Sequence, residues 1–414
     1  MCRIAVIGAG ITGVTTAYEL SLLGYHVTVI DKHLYPAMET SFANGGQLSA
    51  CNAEVWNQKA TVLKGIKWMS EKSAPLLLNP SFSVHKYAWL MEFLGNIKHY
   101  KENTQETVRM ALLARQRLFE IAEKESIDFN LEKRGILHFY YTKADYETAI
   151  QVNTLLCEGG LERYAVSHDE IKSIEPSLTG NYYGGFYCPG DATGDIHKFT
   201  AGLARVTQQN GVEYLFGQEV ISIQHYGQGI SIQFKASDEN MDADAGIIEV
   251  LNADAVVVCG GVGSYQLADM LGDRVNIYPV KGYSITVELR DQDSQKYAPW
   301  VSLLDESAKI VTSRLGADRL RVAGTAEFNG YNRDIRSDRI QPLVDWVNRN
   351  FDLSTEFSVP WAGLRPMMPN MMPIVNRGKR ERVFYNTGHG HLGWTLSAAT
   401  AAMISQQVAQ AHRI

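Results

Sequence analysis

Strand, glycine turn, helix, strand and acidic end follow one another without a break from Ile4 to Asp31, an order that leaves few folds open. Ile4, Ala5, Val6 and Ile7 have the apolar, β-branched content of a short buried strand. Gly8, Gly10 and Gly13 then take G-x-G-x-x-G spacing around Ile11 and Thr12, and apolar residues recur at helical intervals from Val14 through Leu23. Gly8 permits the tight turn, Gly10 lets a pyrophosphate approach the backbone at the positive end of the helix, and Gly13 lets helix pack closely on strand. A second strand, Val27 to Ile30, ends on Asp31 with Lys32 beside it, where a carboxylate can accept both hydroxyls of an adenosine ribose. Glycine turns occur by chance in many folds; the full context is what points to FAD or NAD.

Composition narrows the class only by exclusion. A chain of 414 residues, 45% hydrophobic and 20% charged, is long enough for two domains. Its net charge of −6 and lack of a Lys/Arg run give no footprint for nucleic acid. Five cysteines without C-x-x-C spacing predict free thiols, a reducing compartment and no metal centre. The apolar N-terminal stretch is broken by glycines and has no basic flank beyond Arg3, so it reads as strand and turn rather than signal peptide. No uninterrupted apolar run is long enough for a spanning helix. Residues 55–69 mix Trp56, Val62, Leu63, Ile66 and Trp68 with Lys59, Lys64 and Lys67. Two readings stay open for them: an amphipathic surface touching a membrane or an electron-accepting partner, or a core-packing segment with solvated lysines.

Nucleotide-binding signals recur far from the N-terminus. Val256 to Val258 lead through Cys259 into Gly260 and Gly261, and residues 383–408 give strand, glycine turn and a small-residue helix. If all join one parallel sheet, the intervening segments form a discontinuous second domain. Gly135 to Tyr141, Gly184 to Cys188, Tyr278 to Glu288 and Leu320 to Ala326 suit an antiparallel sheet, and residues 104–124 form the clearest amphipathic helix. The expected fold is α/β: a Rossmann-like dinucleotide-binding domain (1–80, 195–275, 360–414) and an α+β substrate domain (81–194, 276–359), with a cleft between them.

Seven segments occur in order: E-T-S-F-A-N-G-G-Q-L-S at 39–49, L-K-G-I-K-W-M at 63–69, P-G-D-A-T-G-D at 189–195, Y-P-V-K-G-Y-S at 278–284, L-D-E at 304–306, W-A-G-L-R-P-M at 361–367 and N-T-G-H-G-H-L-G-W-T at 386–395. Together they resemble the FAD-dependent amine and amino-acid oxidoreductases that include D-amino acid oxidase, glycine oxidase and sarcosine oxidase. Within that family the motifs are those of the bacterial D-amino acid dehydrogenases. The resemblance implies FAD as cofactor. No cysteine lies near residues 361–369, where sarcosine oxidase carries a flavin-linked one, so the attachment is expected to be non-covalent.

The resemblance assigns the substrate carboxylate to Arg365, and a bidentate guanidinium is the chemically suited clamp. Its plain alternative is a strand-end arginine in a surface ion pair. Tyr283 and Lys309 are expected to line the substrate pocket, the tyrosine with a second carboxylate contact, and the Gln47 amide to hydrogen-bond within it. On the cofactor side the expected residues are Ser41, Asn44, Gly45, Gly46, Gln47, Val220, Gly260, Gly261 and Arg365. The C-terminal turn adds Gly388, Gly390, His391, Leu392, Gly393, Trp394 and Thr395, with a helix starting near Thr395 aimed at the flavin. His389 and His391 alone are poor evidence for a metal, and none is expected. Arg314 and Glu327 can face pocket or solvent, and the roles of His389 and Asn370 stay open.

These implications make the expected partners an amino-acid substrate and an electron acceptor such as a membrane quinone. The expected location is cytoplasmic, with peripheral contact at the inner face of the membrane left open. The expected reaction is oxidative deamination of a D-amino acid. An oxidase of glycine, sarcosine or proline that releases peroxide, and a non-catalytic flavin module, are the competing readings.

Overall fold

The structure is a computed structural model and describes residues 2–68, 74–240 and 246–412. Its first sheet has six strands in the order Ile374–Arg377, Val383–Thr387, Ala255–Val258, Arg3–Ile7, His26–Ile30, Glu213–Leu215, parallel throughout except at the Ile374–Arg377 edge. The three dispersed signals thus become adjacent strands. Ile4, Val6, Val27, Val29 and Val257 are almost wholly buried, and burying each such side chain stabilises by about 2 kcal/mol. The helix Ile11–Leu22 packs on this sheet and is buried nearly all round, between the helices Ile196–Gln209 and Gly393–Ala411. Gly8 sits at φ 110°, and a Cβ on Gly13 would lie 1.8 Å from the Gly8 carbonyl oxygen. Turn and helix can meet only with glycine at both positions.

The second sheet has nine strands, mostly antiparallel: Ser358–Met367, Tyr278–Glu288, Arg319–Phe328, Ile310–Arg314, Ser302–Asp305, Ile136–Tyr140, Gly184–Cys188 and Tyr164–Val166, with Leu76–Leu78 pairing beside Phe328. Leu76–Leu78 and Ser358–Met367, which the expected division gives to the nucleotide-binding part, pair in this large sheet. Its far face is covered by the helix Ser337–Asn350, whose Leu343, Trp346 and Val347 bury against Tyr283, Ile285 and Val287. A three-stranded antiparallel sheet (Gln218–Tyr226, Gly229–Ala236, Ile248–Ala253) flanks the parallel one, and sequence patterning had not separated it. The helix Tyr100–Lys124 lays Thr104, Val108, Ala111, Leu118 and Ile121 on the core, a stripe at helical spacing. Among the described residues, no helix is long and apolar enough to cross a membrane.

Candidate active site

Between the two sheets lies a cavity of about 1100 Å³. One end is walled by backbone. Gly8, Gly10, Ile11 and Thr12 line it at the start of the Ile11–Leu22 helix, which no side chain caps beyond the bond from Ile11 N to Ser41 Oγ at 3.1 Å. Gly260, Gly261 and Val220 line it from the neighbouring elements, and Gly388, Gly390, His391, Leu392, Gly393 and Trp394 from the C-terminal turn. Asp31 and Lys32 stand at its rim. Asp31 accepts from Ala9 N at 2.5 Å and His33 N at 2.8 Å, so it shapes the turn as well as facing the cavity.

Residues 40–47 cross from one sheet to the other. Their carbonyl oxygens are taken by side chains of the large sheet: Ser284 Oγ donates to Ala43 O at 2.8 Å, Arg321 Nη1 to Asn44 O at 2.9 Å and Ser313 Oγ to Gly45 O at 2.6 Å. Thr40 Oγ1 donates back to Leu364 O at 2.7 Å. Anchored on that side, Ser41, Asn44, Gly45 and Gly46 line the cavity. An uncapped helix start, a glycine cradle and a rim carboxylate are the features a dinucleotide's pyrophosphate and ribose require.

Arg365 enters from Ser358–Met367. Its guanidinium lies over Gly282, where a Cβ would come within 2.4 Å of Cζ. Only glycine leaves that space. Among the described residues the guanidinium makes no hydrogen bond or ion pair, and burial alone lowers its pKa to about 10. A buried cation in that condition is set to receive an anion.

Several expected site residues have other duties. Tyr283 lies on the cavity wall, but its ring packs under the sheet and its hydroxyl donates to Glu327 Oε2 at 3.1 Å, which withdraws it from the carboxylate contact expected of it. The strand's two-residue alternation puts Gly282 and Ser284 on the cavity face and Lys281 and Tyr283 on the other. Gln47 lines the cavity, yet its Nε2 donates to Ser302 Oγ (2.7 Å) and Leu303 O (3.3 Å) and its Oε1 accepts from Asn52. Its amide is spent on the wall. Thr395 lies outside the lining, in the first turn of the last helix, which begins at Gly393, and holds Ser49 N through Oγ1 at 3.2 Å. Gly13 acts through packing alone.

Lys309 is in the cavity, bonded to Glu306 Oε2 at 2.5 Å. Around it stand groups that sequence reasoning missed: Glu54, His138, Tyr140, Arg163 and Glu306 itself, although Glu306 lies in the L-D-E segment. His138 Nδ1 meets Glu306 Oε1 at 3.0 Å, while burial, aided by Arg163, lowers the imidazole to about 4. Burial works to raise the Glu306 carboxyl, but Lys309 and His138 outweigh it and hold it below the usual range. No spacing rule could join these residues, which come from four distant segments. His391, lowered to about 4 by burial, stacks on Trp56 with ring centres 4.7 Å apart.

The open residues are structural. Glu327 pairs with Lys281 at 3.1 Å beneath the sheet, and Arg314 donates to the carbonyls of Gln295, Gly316, Ala317 and Ala298. His389 bonds Thr400 at 2.9 Å, and Asn370 accepts from Met372 N at 3.1 Å. All five cysteines are free.

A parallel sheet with a glycine-walled nucleotide cradle is the architecture of a dinucleotide-dependent oxidoreductase. The family profile described as "FAD dependent oxidoreductase" matches residues 3–407, and the chain belongs to that family. It is 58% identical over 410 residues to "D-amino acid dehydrogenase 3" of Mesorhizobium japonicum, covering 99% of this chain and 97% of that one. It is 37% identical to the D-amino acid dehydrogenase of Paramagnetospirillum magneticum, over 98% and 94% of the two chains. Glycine oxidase from Bacillus cereus superposes with a TM-score of 0.74 at 18% identity, covering 100% of this chain and 96% of that one, which shows the shared fold. FAD is therefore the cofactor. Gly8, Gly10, Ile11, Thr12 and Asp31 would hold its adenosine diphosphate half, and the 41–47 and 388–394 turns its ring.

Proposed function

We propose that the protein oxidatively deaminates D-amino acids to 2-oxo acids and ammonia and passes the electrons to an acceptor other than oxygen, such as a quinone. The observation that carries the reading is Arg365, a cation without a partner among the described residues, deep in the cavity between cradle and sheet. The names of the relatives support D-amino acids as the class. Bound FAD supplies the two-electron acceptor that takes hydride from Cα. Arg365 grips the α-carboxylate, and Gly282 leaves it room to lie flat against the strand. The amine releases its proton to solvent, the Cα–H pair departs, and the imino acid adds water to give 2-oxo acid and ammonia. No strong base is required of the chain; orientation is its contribution.

For the acceptor, the described structure redirects attention from residues 55–69. Val55 is buried, Trp56 stacks inward on His391 and Val62 joins a core cluster, while Met69 and the side chains of Lys64, Ile66, Lys67 and Trp68 lie outside the described residues. An exposed apolar row instead runs along Phe82 and the helix Val84–Gly95 through Val84, Tyr87, Met91 and Leu94. We assign membrane contact to that row.

The test is anaerobic flavin bleaching across D- and L-amino acids, glycine, sarcosine and proline, followed by comparison of dye-linked turnover with oxygen uptake. D-Amino acids should bleach the flavin, and the dye should turn over much faster than oxygen. Matching oxygen uptake would make the protein an oxidase. Sedimentation with anionic and neutral vesicles, before and after Met91→Glu, checks the apolar row.

A further inference from the structure

Among the described residues, none of the cavity's charged groups makes a hydrogen bond or ion pair with Arg365. They gather in one chamber: Glu54, Glu306, Lys309, His138 and Arg163, with Tyr140. An ordinary apolar side-chain pocket would contain none of them.

Their partners can be accounted for one by one. Glu306 takes Lys309 at 2.5 Å and His138 at 3.0 Å. His138 Nε2 reaches Cys51 Sγ at 3.1 Å. Arg163 donates to Asn153 Oδ1 at 3.3 Å and lies 4.8 Å from the Phe186 ring centre, and its Nε is closed off from the cavity. Glu54 differs. Its Oε1 accepts from both Tyr100 Oη, at 2.7 Å, and Gln58 Nε2. Among the described residues its Oε2 has no hydrogen-bond partner and no cation within ion-pair distance, and it is not among the closed-off atoms, so it opens on the cavity. Burial, the largest influence on this carboxyl, holds it above its ordinary range. Two neighbouring donors fix the side chain in place, and one lone oxygen is left for a ligand.

We infer that this chamber receives the substrate's side chain, and that Glu54 makes the enzyme favour D-amino acids whose side chains end in a hydrogen-bond donor, above all an ammonium or guanidinium. The inference rests on the substrate class proposed above and narrows it. A short side chain held at Arg365 leaves Glu54 unmet, whereas a side chain of several bonds carries a donor away from the clamp towards it. An anionic terminus would bring a third carboxylate among Glu54 and Glu306, where Lys309 is already paired with Glu306.

The wild-type holoenzyme provides the first test, because D-lysine and D-norleucine differ chiefly in the terminal ammonium. Anaerobic flavin reduction should show D-lysine ahead of D-norleucine and of D-glutamate by about tenfold or more in kcat/KM, carried mainly by KM. In Glu54→Gln the ratio of D-lysine to D-alanine efficiency should fall by about tenfold, and in Glu54→Leu D-norleucine should overtake D-lysine. Equal efficiencies for D-lysine and D-norleucine in the wild type would overturn the assignment without any variant. So would an unchanged ratio in both variants, or D-glutamate outpacing D-lysine. Bleaching by D-alanine with no such discrimination would leave the parent reading standing while removing this one; no bleaching by any D-amino acid would remove both.

Discussion

Lys281 and Arg365 are cations on neighbouring strands of one sheet, on opposite faces, and their surroundings could hardly differ more. Lys281 is wholly buried, and its Nζ meets Glu327 Oε2 at 3.1 Å, Asn332 Oδ1 at 2.7 Å and Asp334 O at 3.0 Å. Glu327 in turn accepts from Tyr283 and from Arg336, at 3.1 and 3.0 Å. Arg365 has no partner at all among the described residues, and its pKa falls to about 10 for that reason. Burial by itself therefore says little about what a charge is for. A satisfied buried cation holds the sheet to its covering helix, whereas an unsatisfied one is a vacancy shaped for a ligand's charge.

The contrast can be broken by stability as well as by activity. Glu327→Leu should have the largest effect on the fold, because it strands Lys281 without a counter-charge; removing one partner of a buried pair costs about 3–5 kcal/mol. An unchanged denaturation midpoint would show that the cluster holds nothing together. Arg365→Leu should leave that midpoint unchanged or raise it, since it deletes an unpaired buried charge, while lowering kcat/KM about a hundredfold with normal FAD content. A destabilised Arg365→Leu protein would mean the guanidinium is structural after all.

Gly282→Ala probes the same clamp more gently. The added methyl meets the flexible end of Arg365 rather than backbone, so the protein should fold normally and lose about tenfold in kcat/KM through a displaced guanidinium. Wild-type efficiency there would dissociate Arg365 from substrate. The smallest effect is pH dependence. Arg365 has a depressed pKa, so it is charged below about 10 and neutral above. KM should hold steady up to about pH 9 and rise as pH passes through about 10, with Arg365→Leu showing no such rise. A flat wild-type profile through pH 11 would reject the cation's role.

The fold was legible wherever local order carried it. Gly8 to Asp31 specifies its own strand, turn and helix, and the resemblance, which runs essentially from Cys2 to Val408, supplies the rest of the architecture. The place of Arg365 in the cavity was legible through its motif. Its neighbours were not, because strand alternation and a bulge at Gly282 and Tyr283 decide which side chains face the cavity, and a motif counts both residues alike. Tyr283, which does line the cavity, was given a carboxylate contact for that reason, whereas its hydroxyl turns to Glu327. Glu54, His138 and Arg163 come together only after the large sheet forms, and each is unremarkable in its own segment. Val55 and Trp56 follow the core-packing one of the two readings left open for 55–69, since apolar residues among lysines look alike whether the face turns inward or outward.

The stitching of residues 40–47 to Ser284, Ser313, Arg321 and Leu364 bears on how the chain is made. The ribosome delivers the cradle's first half within the opening tenth of the sequence, but the anchors that hold it emerge much later, and the closing turn at 388–394 comes almost last. A nascent chain thus carries an incomplete flavin site for most of its synthesis. If the 388–394 turn holds the flavin as proposed, cofactor capture belongs to the final stage of synthesis.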